Sequence, residues 1–389
     1  MERYGGMAGV FKNDKGIMKK IIIFYEPTSQ KHLINSIIKY CSTKKLLIDA
    51  FCLGDFTYNG SINKNSYFDK FVCKYYKKRY IGYIVRLLFF TRLLINKSQE
   101  YDYIDISFFT PIYYKFLDYL IRINKPYKLT IWGSDFYRAS KDELQRKRYY
   151  LEKANKIQVE TDIVKQDFVR CFPSVRNKIY VCNYGIELFD NIDKLRERST
   201  NLLGINTYNK IVVTCGYNGS KGQQHLEIIK AISLLASEVR DKLFLLFPMT
   251  YGISDRNYIN EIKTQLDELN ISYNIFINKL NEDELAELRL RSNIVINVQI
   301  TDAFSSSLIE HIYAGSILIS GNWLPYSILT DAGIRYIPTS LELLNEMILL
   351  TLTNLEYEQE RCSDNIKNAY NLSSWSNVSS KLSNIFQDI

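Results

Sequence analysis

The stretch that decides the fold is TDAFSSSLIEHIYAGSILIS, Thr301 to Ser320. The apolar run VINVQI (Val295 to Ile300) leads into it, and Asp302 stands at its mouth. Ser305, Ser306 and Ser307 then open a helical pattern that carries Glu310 and ends at Ala314-Gly315, before SILIS restarts a strand. Two β-branched runs around a glycine-ended helix read as a strand–helix–strand unit. In a parallel sheet, the turn from strand to helix offers free backbone N–H groups and the positive end of the helix dipole to an anionic ligand. An acid at the mouth and another one turn into the helix suit a sugar nucleotide, one acid taking hexose hydroxyls and the other the ribose.

The same alternation runs outward along the chain. KKIIIFYE (Lys19 to Glu26), KLLIDAFCL (Lys45 to Leu53), IDISFF (Ile104 to Phe109), KLTIW (Lys128 to Trp132), KIQVET (Lys156 to Thr161) and KIYVCN (Lys178 to Asn183) read as strands, with helical segments such as Ser29 to Cys41 among them. KIVVTCG, KLFLLFP, YNIFIN, NIVINVQI and SILISG repeat the pattern in the second half. Continuous apolar strands separated by helices imply parallel sheets covered on both faces. The polar segment from about Arg196 to Lys210 reads as a linker. The fold class expected is α/β, with two Rossmann-like doubly wound domains facing a cleft. Residues 18–196 form the first, residues 210–354 the second, and residues 355–389 are C-terminal helices with Trp375 as an anchor. Residues 1–17 have no apolar core and read as a disordered tail rather than a secretion signal.

The 389 residues suffice for two such cores, and 46% hydrophobic with 24% charged residues is a globular composition. Seven scattered cysteines point to a reducing cytoplasm, and three histidines, His32, His225 and His311, are a poor basis for a zinc site. No apolar run reaches the roughly 20 residues that span a bilayer. The net charge of +8 admits nucleic acid, an anionic membrane or a phosphorylated substrate as partner. Nucleic acid is set aside, because no binding module for it is recognisable. The segment from Phe71 to Lys97 carries Lys74, Lys77, Lys78, Arg79, Arg86, Arg92 and Lys97 without an acid, interleaved with Tyr, Phe and Leu. Such a helix suits the plane of an anionic membrane, and equally an ordinary covering helix with a solvated basic face.

Further turns carry candidate chemistry. Gly216-Tyr217-Asn218-Gly219-Ser220-Lys221-Gly222 follows the strand KIVVTC and precedes a helix that begins near His225. Glycines let a diphosphate approach the backbone, and Lys221 offers it a compact charge; a purely structural turn also fits. His225 reads as a donor to a phosphate or as an ordinary surface histidine. Trp132-Gly133-Ser134-Asp135 closes another strand, and Asp135 reads as a proton acceptor or as a helix cap.

The stretch from Asp302 to Ser320 resembles the C-terminal signature of GT-B glycosyltransferases, especially the retaining family 4. Its acid–seven residues–Glu spacing is matched by Asp302 and Glu310, and Lys221-Gly222 match the Lys-Gly of that family. Asp stands where Glu is usual, Ala303-Phe304-Ser305 replaces Gly-Phe-Gly, and Tyr217 replaces the usual Arg. GYNGSKGQQH, Phe247 to Gly252 and Asn322 to Tyr326 also resemble bacterial transferases that add 4-acetamido-fucose to lipid-linked antigen intermediates. Asn183 to Glu187 resembles the loop before the family's interdomain linker.

The resemblance implies a hexosyltransferase in bacterial surface-polysaccharide synthesis, at the inner face of the cell membrane. The first domain would bind the acceptor and the second the nucleotide-diphosphate sugar. Gly216, Asn218, Gly219, Lys221, His225, Ser305, Ser306, Ser307 and Glu310 would bind the donor. Asp302, Glu310 and Asp135 would be catalytic, with Asp135 the base if the reaction inverts. Lys74, Lys77, Lys78, Arg79 and Arg86 would meet the membrane or the acceptor. No metal or cofactor is expected, and the acceptor is a lipid-linked glycan or another oligosaccharide. A sugar-nucleotide epimerase of the same fold and a catalytically idle partner subunit are the alternatives.

Overall fold

The computed structural model describes residues 18–26, 31–43, 45–53, 58–59, 74–75, 89–302 and 304–387. The strands are β1 (Lys19–Tyr25), β2 (Leu46–Cys52), β3 (Tyr58–Asn59), β4 (Tyr103–Ser107), β5 (Tyr127–Thr130), β6 (Lys156–Val159) and β7 (Ile179–Val181), then β8 (Ile211–Cys215), β9 (Leu243–Pro248), β10 (Ser272–Phe276), β11 (Ile294–Asn297), β12 (Ile317–Gly321) and β13 (Ile337–Thr339). They form two sheets, in the orders β3-β2-β1-β4-β5-β6-β7 and β10-β9-β8-β11-β12-β13. Ile21, Ile22, Ile23 and Phe24 are all fully buried, as a strand covered on both faces must be.

Two short edge strands escape the sequence pattern. β3 is two residues long and pairs antiparallel with β2, and β13 adds to β12 through Ile319, Ser320 and Gly321. Neither is long enough to show a period.

Both sheets reverse direction at their centre. In the second, the chain leaves β8 for β9 and β10 on one side, then returns to place β11 on the other side of β8. Loops after β8 and β11 therefore diverge from one point on the carboxyl edge, the place where open α/β sheets bind ligands.

By compactness the chain divides into residues 1–129, 153–155 and 383–389 as one unit, and residues 130–152 and 156–382 as the other. Strands β6 and β7 thus count with the unit that holds the second sheet. In the first unit, Lys97 is buried beside the Phe51 ring, 5.7 Å from its centroid, so it is no part of a solvated basic face. Lys74 is exposed, 5.5 Å from the Tyr75 ring centroid. Lys77, Lys78, Arg79 and Arg86 lie outside the described residues.

Within the second unit the linker is fastened down. The buried Glu287 carboxylate accepts from the Leu202 N–H (2.7 Å), the Thr200 hydroxyl (2.8 Å) and Arg291 Nε (2.7 Å). Burial alone would raise its pKa, but these donors together hold it below the usual glutamate range.

The loop Asn183 to Glu187 is also structural. Asn183 Nδ2 donates to Leu372 O (2.9 Å), Ile186 N–H donates to Ser373 O (2.8 Å), and Gly185 lies against the buried Trp375 ring. A Cβ on Gly185 would fall 2.4 Å from Trp375 Cδ2, so the ring sits where only hydrogen fits. We expect Gly185→Ala to cost about 1–3 kcal/mol by forcing that ring away, read as a lowered urea midpoint at unchanged slope.

Candidate functional site

The loop leaving β8 is shaped by glycine. Gly216 has φ +65°, and a Cβ there would stand 2.9 Å from Gln223 Oε1 and 3.0 Å from His225 Nε2. Asn218 Oδ1 accepts from the Ser220 N–H (2.9 Å), which tightens the turn. Gly219 N–H donates to Tyr251 O (2.7 Å), so the loops after β8 and β9 are fastened together.

Lys221 stands at the rim. Its Nζ is 3.1 Å from Asp255 Oδ2, and its side chain is 58% exposed. An exposed pair of this kind contributes little stability, and Lys221 can be re-paired with another anion at small cost. His225 is no surface residue. It is fully buried, its Nδ1 lies 3.2 Å from the Tyr258 hydroxyl, and its Nε2 has no hydrogen-bond partner among the described residues. Burial pushes its pKa down to about 4, although the Asn218 backbone carbonyl opposes this. The ring is therefore neutral at physiological pH and offers a phosphate no charge.

Past β11, Asp302 is held rather than loose. Tyr326 Oη donates to Asp302 Oδ2 at 2.5 Å and accepts from the buried Asn297 Nδ2 at 2.7 Å. Gln299 Oε1 accepts from Gln223 Nε2 (2.7 Å), and the Gln299 amide pairs with the Tyr217 hydroxyl (3.1 Å to Oε1, 3.0 Å to Nε2). Burial first, and then the Asp302 charge, push both the Tyr217 and Tyr326 hydroxyls well above the usual tyrosine range. Both stay protonated, so Tyr326 remains a donor that fixes the orientation of Asp302.

Ser305 is the N-cap residue of the helix Ser306–Ala314, with Ser306 exposed and Ser307 buried. Below the helix lies a group the sequence did not disclose. Arg289, on the helix Glu282–Arg291, has a 4% exposed side chain. Its Nε and Nη2 donate to Glu310 Oε2 (3.2 and 3.0 Å), Nη2 also donates to Ser307 Oγ (2.7 Å), and Nη1 lies 2.8 Å from His311 Nε2. Arginine can only donate, so that nitrogen accepts, and His311 carries its proton on Nδ1 toward Ser316 Oγ (3.3 Å). Burial, then the Arg289 charge, hold the His311 pKa well below the usual range.

Four more residues of this unit follow the strands β5, β6 and β7. Asp135 lies in the first turn of the short helix Ser134–Tyr137, and its Oδ1 accepts from the Trp132 N–H (2.9 Å), three residues back, so this carboxylate braces the turn that enters the helix. The Trp132 and Tyr184 rings stack, with centroids 5.0 Å apart and planes at 11°. Glu160 follows β6, and its pKa is pushed up to about 8, first by burial, then by the charges of Asp302 and Asp135. Asp302, Asp135 and Glu160 therefore share one region of the unit.

Of the residues missed, Tyr326 lay within the quoted Asn322 to Tyr326 motif and Glu160 within KIQVET, where an acid ending an apolar strand is a legible signal. Arg289 gave none. In LAELRLRSN it is one of two arginines on a charged helix, and only coordinates show that it turns inward.

No family model matches the chain, and no curated protein matches it by sequence. Solved structures do. Alr3699/HepE of Anabaena, solved with UDP and glucose, has a TM-score of 0.70 at 14% identity, covering 95% of this chain and 100% of that one. A glycosyltransferase from Rickettsia africae has a TM-score of 0.71 at 17% identity, covering 95% and 98%. MnaA of S. aureus, solved with UDP, has a TM-score of 0.58 at 14% identity, covering 95% and 96%. The fold is GT-B.

His225 and His311 are neutral in the folded chain, and on unfolding they take up protons below about pH 6.5, the ordinary histidine value. The unfolded state then binds more protons, so stability falls as pH drops from about 6.5 toward 4. Urea midpoints at pH 7.0, 5.5 and 4.5 should decline in that order, and the decline should be shallower in His225→Leu.

Proposed function

We propose that this chain is a glycosyltransferase that moves a hexosyl group from a nucleoside diphosphate sugar to a glycan hydroxyl. The carrying observation is the convergence, at the reversal point of the second sheet, of the glycine-shaped loop after β8, the oriented Asp302 and the N-terminus of the helix Ser306–Ala314. The neighbours solved with UDP support a nucleotide donor for a chain of this fold.

On this reading the diphosphate lies against the backbone of residues 216–219 and the N–H groups of Ser306 and Ser307, with Lys221 swinging to it from Asp255. Glu310, held by Arg289, takes the ribose hydroxyls. Asp302, held by Tyr326, takes a hydroxyl of the donor sugar. Bond formation joins the anomeric carbon to the acceptor oxygen as the bond to the diphosphate breaks. The charge developing on the leaving diphosphate is met by fixed donors and Lys221, which need no reorganisation when it appears. We assign retention to the reaction, with acceptor attack on the face the diphosphate leaves and the acceptor proton passing to a diphosphate oxygen. We further assign a lipid-linked glycan as acceptor and an anionic membrane surface as the place of work, in bacterial surface-polysaccharide synthesis. The basic segment before Lys97 supports both assignments, and among the described residues no helix is long and apolar enough to cross a membrane.

Purified protein incubated with a panel of nucleotide sugars and lipid-linked acceptors should transfer one sugar and release its nucleoside diphosphate; release of none overturns the proposal. Asp302→Asn keeps an acceptor for Tyr326 but removes the charge. It should lower kcat/KM by about 100-fold, a typical loss for a group aimed at the reacting centre, with UDP affinity held within about threefold. Wild-type turnover in that variant would remove Asp302 from the site. Flotation with anionic liposomes should recover the protein, and charge reversal at Lys77, Lys78 and Arg79 should reduce recovery steeply, since each basic residue contributes about 1 kcal/mol near such a surface.

A further inference from the structure

Three adjacent strands of the first sheet end in a row within the second unit. β5 is continued by Ile131, whose N–H donates to Gln158 O (2.9 Å), and β7 by Cys182, whose N–H donates to Val159 O (2.9 Å). The residues that follow are Trp132 to Asp135, Glu160, and Asn183-Tyr184. The strand bearing Glu160 lies between the strands bearing Trp132 and Tyr184, whose half-buried rings stack on each other. An aromatic face of this kind suits the apolar C–H face of a pyranose.

Glu160 itself is partly exposed, so a ligand can reach it. It makes no hydrogen bond or ion pair with another described residue. The charged groups that act on it are carboxylates, Asp302 and Asp135. Desolvated, unpaired and facing like charge, such an acid is costly to keep unless it works.

We propose that Glu160 binds one hydroxyl of the donor sugar jointly with Asp302: Glu160 donates its O–H to that hydroxyl, and the hydroxyl donates to the Asp302 carboxylate. This rests on the glycosyltransfer reading above and adds a specificity-determining residue to it. A sugar hydroxyl is both donor and acceptor, and an acid facing a carboxylate supplies both complements. Burial and the two neighbouring carboxylates push the Glu160 pKa up to about 8, so at neutral pH the acid form that the role needs prevails. Tyr326, donating to Asp302 Oδ2, holds the accepting partner in place. As pH rises through about 8, Glu160 loses the proton it donates and becomes a second anion facing Asp302.

The test compares the nucleotide sugar that a thermal-shift panel ranks first with its nucleoside diphosphate, by calorimetry at pH 6.5 and 9. For wild type at pH 6.5 the sugar should add affinity over the nucleoside diphosphate. Glu160→Ala should lose about tenfold of that increment, as expected for one hydrogen bond left unmade in a desolvated pocket, and bind the nucleoside diphosphate within twofold of wild type. Glu160→Gln, whose amide still donates, should lose no more than about threefold. At pH 9 wild type should lose the increment and Glu160→Gln should keep it. Carboxyl 13C shifts of the free protein give an independent readout: one glutamate should titrate near 8 and vanish in Glu160→Gln. Glu160→Gln as impaired as Glu160→Ala, an increment insensitive to Glu160→Ala or to pH, or titration of Glu160 in the ordinary glutamate range each overturns the inference and leaves the function proposal standing. Failure of wild type to bind any nucleotide sugar overturns both.

Discussion

A guanidinium with 4% of its side chain exposed must be answered on every side, and the second unit is arranged around that demand. Arg289 meets a carboxylate, a hydroxyl and a neutral imidazole within 3.2 Å. Removing any one partner leaves a buried charge undercompensated, which is the expensive way to break such a cluster. The partners are not scattered. Ser307, Glu310 and His311 all lie on the helix Ser306–Ala314, so the arginine fixes the position and rotation of the helix whose first turn faces the proposed diphosphate. His311 extends the chain of bonds through Ser316 to the Ser292 carbonyl. One inward-turned side chain thus ties the helix Ser306–Ala314 to the helix Glu282–Arg291, and through His311 and Ser316 to Ser292 before β11.

A second polar network ends on Asp302. Asn297, Gln299, Tyr217, Gln223 and Tyr326 share hydrogen bonds around the carboxyl ends of β8 and β11 and terminate on Asp302. Networks of this kind specify one geometry when their members are satisfied. Within this network Asn297 Oδ1 has no hydrogen-bond partner among the described residues, and beside it His225 Nε2, which faces Gly216, has none either. The Arg289 charge is buried and paired, while Asp302 and Glu160 are partly exposed and Lys221 is exposed.

The sheets were legible because buried parallel strands are uninterrupted apolar runs, and β1, β2, β8 and β12 fall within a residue or two of where composition puts them. The loops were legible where a residue type is forced. At Gly216 a φ of +65° combines with a Cβ position 2.9 Å from Gln223 Oε1, which favours glycine, and the sequence shows it as glycine. Side-chain direction is another matter. His225 and Arg289 are polar letters that a sequence places at the surface, yet both are enclosed, because their partners Tyr258, Glu310 and Ser307 are brought up by elements distant along the chain. Glu160 is visible in the sequence as an acid ending an apolar strand, but its burial and the charge of Asp302, far along the chain, are not. Sequence spacing reports what a helix or strand does to itself, and these contacts are between elements.

The loop around Gly185 carries a temporal consequence. Asn183 finds its acceptor 189 residues later, at Leu372, and Gly185 finds its covering ring at Trp375. At a translation speed of 5–20 residues per second, that loop waits roughly 10 to 40 s for its partners to leave the ribosome. During the wait its polar backbone stays solvated and its apolar neighbours uncovered. Nascent chains of this protein therefore pass through a window in which the first sheet has been made and its last clasp has not, and chaperone demand should concentrate there.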